Sequence, residues 1–327
     1  MFALEVGSLL IIVVVFILIL IPTALLGWIE RRLIGFFQDR LGPNRLGPLG
    51  VMQVAADFIK MFGKEDWIPP FSDKLTFVIA PMILPIAMFL SFAVIPFAPG
   101  VGIIDLNVGL LWILAMAGLA AYSAMLAGIA SNNKFSLLGG LRAAAQMISY
   151  EVFMGISILG VVILSDSFNL REIVIAQEDG WFVFPQFIGF FIFLVAGLAE
   201  SHRWPLDLPE GEAEIISGYN TEYSGMKFLL FFVGEYIGLT LISALIPILF
   251  FGGWHAPFGL EFGNEIFSGL FWLSVKASFF AFFFILVRAA IPRPRYDQLM
   301  AYGWLIMLPL SLLNLLITGA LVLVQGG

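Results

Sequence analysis

Four ionisable side chains stand where hydrocarbon is expected to surround them. Glu151, Glu200, Glu235 and Lys276 fall inside or at the end of long apolar runs. Each such group costs about 2.5–3.5 kcal/mol on insertion scales. A carboxyl that exchanges a proton near neutral pH is what a relay needs, and Glu151 and Glu235 have the placement for one. The competing reading is a static Glu–Lys pair that fixes helix register. A buried pair seldom stabilises more than an apolar substitute, which favours the relay. Tyr150 and Tyr236 adjoin the two glutamates and offer hydroxyl donors, although adjacent residues point to different faces of a helix.

A second constellation lies in the polar stretch 201–227, where Asp207, Glu210, Glu212, Glu214 and Glu222 stand against Arg203 and Lys227. Asp207 with Glu210 three residues on has capping-box spacing, and Pro209 falls in the first turn such a cap would open. Glu210 and Glu214 then share a helix face, where like charges destabilise slightly unless something positive or protonic uses them. The stretch 29–74 supplies Arg31, Arg32, Arg40, Arg45, Lys60, Lys64 and Lys74. An acidic and a basic segment on one membrane side fit either solvated loops or a polar chamber folded from both.

Other chemistries are poorly served. Without cysteine there is no disulfide, cysteine-ligated iron–sulfur cluster or cysteine zinc site. His202 and His255 cannot form the helix-borne pairs of bis-histidine haem sites, and His202 beside Trp204 reads as an interfacial residue. No phosphate loop, zinc-protease or serine-hydrolase motif is present.

The elements that must position these groups are membrane spans. Of 327 residues, 61% are hydrophobic and 12% charged, against about 25% charged in soluble domains, which excludes a water-soluble enzyme. Apolar runs at 9–27, 75–98, 109–130, 146–164, 183–199, 228–252, 266–287 and 301–324 predict an all-α membrane protein of eight transmembrane helices in a single polytopic domain, 1–327. Pro81, Pro85 and Pro96 predict bends in the second span. No basic residue precedes the first run and Glu30-Arg31-Arg32 follows it, so it reads as a span with its N-terminus outside rather than a cleaved signal. With both termini outside, Arg171 alone of the 16 basic residues falls outside and Lys276 lies within a helix; the rest are inner, as the positive-inside rule demands.

The first inner segment, 29–74, is too long for a plain connector. Leu41-Gly42-Pro43-Asn44 and Gly47-Pro48 signal turns. Leu49, Met52, Ala56, Ile59 and Phe62 then recur at helical spacing, with Gln53, Asp57, Lys60 and Lys64 on another face. This predicts an amphipathic helix lying in the interface plane; packing on other protein is the alternative.

Several motifs resemble one family. Glu30 through Arg45, Gln53 through Asp66, Ser149–Val152, Arg203–Glu212, Glu222–Tyr236 and Arg288 through Asp297 are similar, in order and nearly over the whole length, to the H-type membrane subunit of bacterial NADH:quinone oxidoreductase, respiratory complex I. The resemblance implies a proton-translocating membrane subunit in the bacterial inner membrane, with no redox centre of its own and no catalysis alone. It implies ubiquinone or a related quinone as substrate, with FMN and iron–sulfur clusters in partner subunits. The partners implied are the quinone-site subunits of the peripheral arm, the antiporter-like and small subunits of the membrane arm, and lipid, with no nucleic acid. Glu30, Arg31, Arg40, Asp57 and Glu65 then belong to the loop lining or supporting the quinone cavity. Asp207, Glu210, Glu212, Glu214 and Glu222 correspond to the acidic coupling loop, and Glu151 and Glu235 to the buried relay, with Lys276 and Arg293 as accompanying cations. Leu206 and Tyr219 stand where many members have Phe, and neither is expected to touch a charge.

Three other readings compete. A membrane-bound hydrogenase subunit needs no quinone cavity, and the Gly-Pro-Asn-Arg turn of the first loop disfavours it. A secondary transporter predicts inverted repeats and interrupted helices, which are not visible. A passive anchor would need no carboxylates inside its spans.

Overall fold

The computed structural model describes residues 6–260 and 262–325. Among these the chain is helical, with one isolated bridge, Ala98–Val101, in place of any sheet. In chain order the helices are α1 (Val6–Phe37), the short α2 (Gln53–Phe62), α3 (Lys74–Ser91), α4 (Gly109–Ala130), α5 (Lys134–Ser165) and the short α6 (Leu170–Ile175). There follow α7 (Phe187–Glu200), the single turn α8 (Glu212–Ile215), α9 (Gly225–Phe250) and α10 (Glu265–Ala290). The last rod runs from α11 (Tyr296–Tyr302) through a π-turn (Gly303–Met307) into α12 (Leu308–Gln325). Among the described residues, six helical segments are long and apolar enough to cross a membrane.

Helix α9 is the hub, packing against α1, α3 and α10, while α3, α4 and α5 pack in succession and α5 also meets α7 and α12. Of the α9 span 72% is buried, against 28% for α10 and 22% for the last rod. Apolar side chains cannot drive helices together in lipid, so close backbone approach must. At Gly234 of α9 a methyl group would lie 2.6 Å from Leu84 Cγ of α3, and at Gly128 of α4 one would lie 2.6 Å from Ser136 O of α5. A methyl at Gly303 would meet Phe153 at 2.7 Å, which locates the π-turn where the last rod presses on α5.

Several element boundaries differ from expectation. The second span ends at Ser91, with a 3-10 turn to Val94, so Pro81 and Pro85 lie in the helix and Pro96 lies beyond it. The amphipathic helix expected from Leu49 begins only at Gln53 and ends at Phe62, because Leu49 takes a left-handed φ of 55°. Helix α1 continues through Glu30, Arg31 and Arg32 to Phe37, so the charged flank remains helical. The helix expected at 146–164 begins at Lys134, capped by Asn133, whose side chain accepts from Phe135 N at 3.0 Å. In the added stretch Ser136, Gly139, Gly140, Ala143 and Ala144 are buried by protein while Lys134 is exposed, and Gln146, where the expected run starts, donates to Ala199 O and Leu206 O at 2.9 and 2.8 Å. Hydropathy cannot register a helix whose polar side is covered by its own chain.

Candidate functional site

The stretch after α7 folds back against the C-terminal ends of α1 and α10 and the N-terminal end of α9. It turns at His202 (φ 49°), Gly211 (φ 38°) and Gly218 (φ 54°), left-handed conformations that glycine adopts freely and His202 adopts only under constraint. The result is a polar chamber of about 260 Å³ whose lining includes Glu30, Arg31, His202, Arg203, Asp207, Glu210, Glu235 and Arg288. Glu30, 3% exposed, accepts from Arg203 at 3.3 Å and from Arg288. The Arg203 guanidinium also lies 3.7 Å from the centre of the Tyr236 ring, a geometry that stabilises a desolvated cation.

Asp207 is buried here, and its pKa is pushed up to about 8, first by burial and then by the charge of Glu210, against the pull of Arg293 and Arg203. Arg293 gives its hydrogen bond to the Asp207 carbonyl, at 2.6 Å, rather than to the carboxylate. His202 is not the interfacial residue expected. It is 5% exposed, burial lowers its pKa to about 4, and it lines the chamber as a neutral imidazole.

The acidic residues are separated rather than aligned. The helix expected to open at Pro209 begins only at Glu212, because Gly211 takes a left-handed turn. Glu210 accepts from Asn220, while Glu214 meets Arg142 at 2.6 Å, so the two do not share a face. Glu222 accepts from Asn133 at 2.7 Å. Glu212 opens α8, and its side chain lies outside the described ones.

Of the carboxylates expected in spans, Glu235 borders the chamber and accepts from the Tyr219 hydroxyl at 3.0 Å. This corrects two expectations. Tyr219 does touch a charge, and the hydroxyl on Glu235 comes from it rather than from Tyr236; Tyr150 donates instead to Leu299 O at 3.0 Å. Glu151 faces Gly118, where a methyl would lie 3.5 Å from its Oε1. Glu200 is 4% exposed, neither oxygen has a hydrogen-bond partner among the described residues, and it lies within electrostatic reach of Glu151. Its place at a span end was legible in the sequence; its approach to Glu151, from another helix, was not.

Lys276 does not join this group. Its ammonium donates to Phe251 O, Gly253 O and His255 O at 2.7, 2.9 and 2.8 Å, beyond the C-terminus of α9, with Trp181 5.3 Å away. The static Glu–Lys pair is thus not formed among the described residues.

A cleft of about 340 Å³ adjoins the chamber, between α1, α2 and α9. Leu20, Thr23, Ala24, Trp28, Phe58, Leu229 and Val233 make it mainly apolar, and the polar face of α2 turns Gln53, Asp57 and Lys60 into it. Arg31, Phe228, Phe232 and Tyr236 border both spaces. Asp57 holds Arg31 in an ion pair and accepts from Gln53 at 3.0 Å. Arg40 and Glu65 are exposed and line neither space. The opposite stripe of this segment, Leu49, Met52, Ile59 and Phe62, is at least 58% exposed.

Fold and site together define a multi-pass helical membrane protein that carries buried ionisable groups beside an apolar cleft. Among its described residues no group of three or more His, Cys, Asp or Glu could hold a metal ion. Residues 9–319 match the NADH dehydrogenase family. The chain is 61% identical over 315 residues, 96% of its length and 98% of the relative's, to the H-type subunit of the NADH-quinone oxidoreductase of Methylococcus capsulatus (strain Bath). The chain belongs to this family of complex I membrane subunits.

Proposed function

We propose that this chain admits quinone into complex I and converts the charge change of its reduction into protonation changes at membrane carboxylates. The observation that carries the reading is the shared wall. A lipophilic cleft and a chamber of ionisable groups meet across Arg31, Phe228, Phe232 and Tyr236. A prenylated ring can travel along apolar side chains while its head reaches the charged wall.

Reduction of a quinone to a quinol consumes two electrons and two protons. The electrons come from partner subunits that hold FMN and iron–sulfur clusters; this chain supplies the pocket, the charges and the proton-holding groups, and does not catalyse alone. Negative charge developing at the wall draws Arg31 and the arginines around Glu30. One unit charge about 10 Å away, at an effective dielectric of about 20, acts with about 1.7 kcal/mol, enough to change a proton's occupancy roughly tenfold without large backbone motion. Asp207 and Glu210 pass that change to Glu235, and Glu200 extends the route to Glu151. Glu214 and Glu222 fix the loop through Arg142 and Asn133, Arg293 holds its backbone, and Lys276 ties down the carbonyls beyond α9. Arg40 and Glu65, exposed on the same side, meet the quinone-site subunits of the peripheral arm, while the apolar outer faces of α10 and the last rod meet lipid or membrane-arm subunits.

The same reading makes the chain one unit, 1–327, of eight spans in a bacterial inner membrane. Helix α1, of 32 residues, extends about 48 Å and is long enough. Helix α7, with 14 residues, extends about 21 Å and crosses with the turns that precede it. Both termini are then outside.

The test has two arms. A photoreactive quinone analogue in intact membranes should label cleft residues such as Phe58, Leu229 and Val233. In Glu235→Gln, quinone reduction should outlast proton pumping. Labelling confined to the exposed faces of α10 and the last rod, or full pumping in Glu235→Gln, would overturn the reading.

A further inference from the structure

We propose that the 3-10 turn Gly218–Asn220 mechanically ties the chamber to the membrane, with Tyr219 as the residue that positions Glu235. This rests on the relay reading above and adds to it the part that makes Glu235 respond.

Two neighbouring donors on this turn reach two carboxylates in different environments. Asn220 donates to Glu210 of the chamber loop, and Tyr219 donates to Glu235 of α9 at 3.0 Å. The backbone between them is short, so displacing one donor displaces the other. The turn has little freedom of its own. A methyl on Gly139 of α5 would lie 2.5 Å from Gly218 Cα, so the turn sits directly on the α5 backbone. The Tyr219 ring is fully buried and meets Phe231 edge-on at 5.3 Å, while Tyr223 also meets Phe231 edge-on at 5.1 Å and stacks on Phe77 at 4.1 Å. Phe231 lies one helical turn before Glu235, so the aromatic cluster fixes the hydroxyl relative to the carboxylate it serves.

Tyr236 does not take this part: next to Glu235 on α9 it points to a different face, and its ring lies against Arg203. The charged and titratable groups facing Tyr219 and Glu235 are Arg203, Asp207 and Glu210 from the folded-back loop, with His202 and Tyr236 beside them. Burial, followed by the charges of Glu235, Glu210 and Asp207, holds the Tyr219 phenol well above the ordinary tyrosine range. It therefore remains a donor throughout. A hydrogen bond to the charged form of a carboxyl favours that form, so withdrawing Tyr219 makes Glu235 bind a proton more readily.

Tyr219→Phe, in the assembled membrane-bound complex, keeps the ring and deletes the hydroxyl. We expect the pH profile of proton pumping to move towards alkaline pH by about one unit, the lower end of what one hydrogen bond to a charged group is worth. The carboxyl infrared band that Glu235→Gln abolishes should also be displaced. Asn220→Ala, which removes the donor to Glu210 only, should displace the same Glu235 band. A merely structural role for the turn would lower the amount of assembled complex and leave band and profile in place in what does assemble. An unmoved Glu235 band in both variants, with Glu235→Gln deficient in pumping, overturns the tie and leaves the relay standing. Normal pumping in Glu235→Gln overturns the relay itself, whatever Tyr219→Phe does.

Discussion

Glu30→Gln probes the junction on which the site is built. Glu30 and Arg203 retain 3% and 9% side-chain exposure, and Arg288, the second cation on the same carboxylate, retains 35%. Neutralising Glu30 leaves Arg203 buried with one compensating charge removed, and breaking a buried pair from one side costs about 3–5 kcal/mol. Arg288 can recover hydration and adds little, and the Tyr236 ring continues to support Arg203, so the lower end, about 3 kcal/mol, is the expectation. At about 1.4 kcal/mol per decade, that is roughly a hundredfold rise in local opening. Hydrogen exchange of the amides at 202–208, measured on the purified complex, should lose about two orders of magnitude of protection, while amides in the middle of α9 remain as they were. Adding Arg203→Met to Glu30→Gln should restore much of the protection, since the uncompensated charge is then gone. If the single variant exchanges like the unaltered protein, or the double variant is worse by the sum of its parts, the argument from charge burial is refuted.

Three more expectations follow from the same geometry. With its folded pKa pushed up to about 8 from an ordinary 3.8, Asp207 contributes stability that is complete below about pH 4 and is lost as pH rises through about 8; proteolysis of the 201–217 loop should accelerate over that window, and Asp207→Asn should flatten the dependence. Lys276→Met strands three carbonyls at the end of α9 and should cost about 2–3 kcal/mol in thermal stability, with no change in protons pumped per quinone reduced by the complex that survives. The Arg31–Asp57 pair keeps 46% and 31% exposure, so Arg31→Ala should lower stability by under about 1 kcal/mol while raising the KM for quinone severalfold.

Composition and periodicity determined that this chain is a helical membrane protein, since apolar runs of this length have no other stable state. They also singled out Glu151, Glu235 and Lys276, because an ionisable residue in such a run is conspicuous in one dimension. The amphipathic segment from Leu49 to Lys64 was legible only in part: its residues recur at helical spacing, but Leu49 takes a left-handed turn and the helix runs Gln53–Phe62, with Gln53, Asp57 and Lys60 lining the cleft beside Val54 and Phe58.

What each ionisable group touches was decided only by the tertiary structure. Lys276 was legible as a charge, but that charge serves three carbonyls beyond the end of α9, which no spacing predicts. Glu210 and Glu214 share a face only if the helix begins before Gly211; the chain packing around Gly218 and Gly139 sets that turn and sends them to Asn220 and Arg142. Glu30 meets cations 173 and 258 residues away, and Tyr219 finds Glu235 because a turn lies against α5. Hydropathy is a property of a segment and can be summed along the chain, whereas a hydrogen bond or an ion pair needs two groups within about 3 Å, and for these groups that distance exists only after the helices have packed.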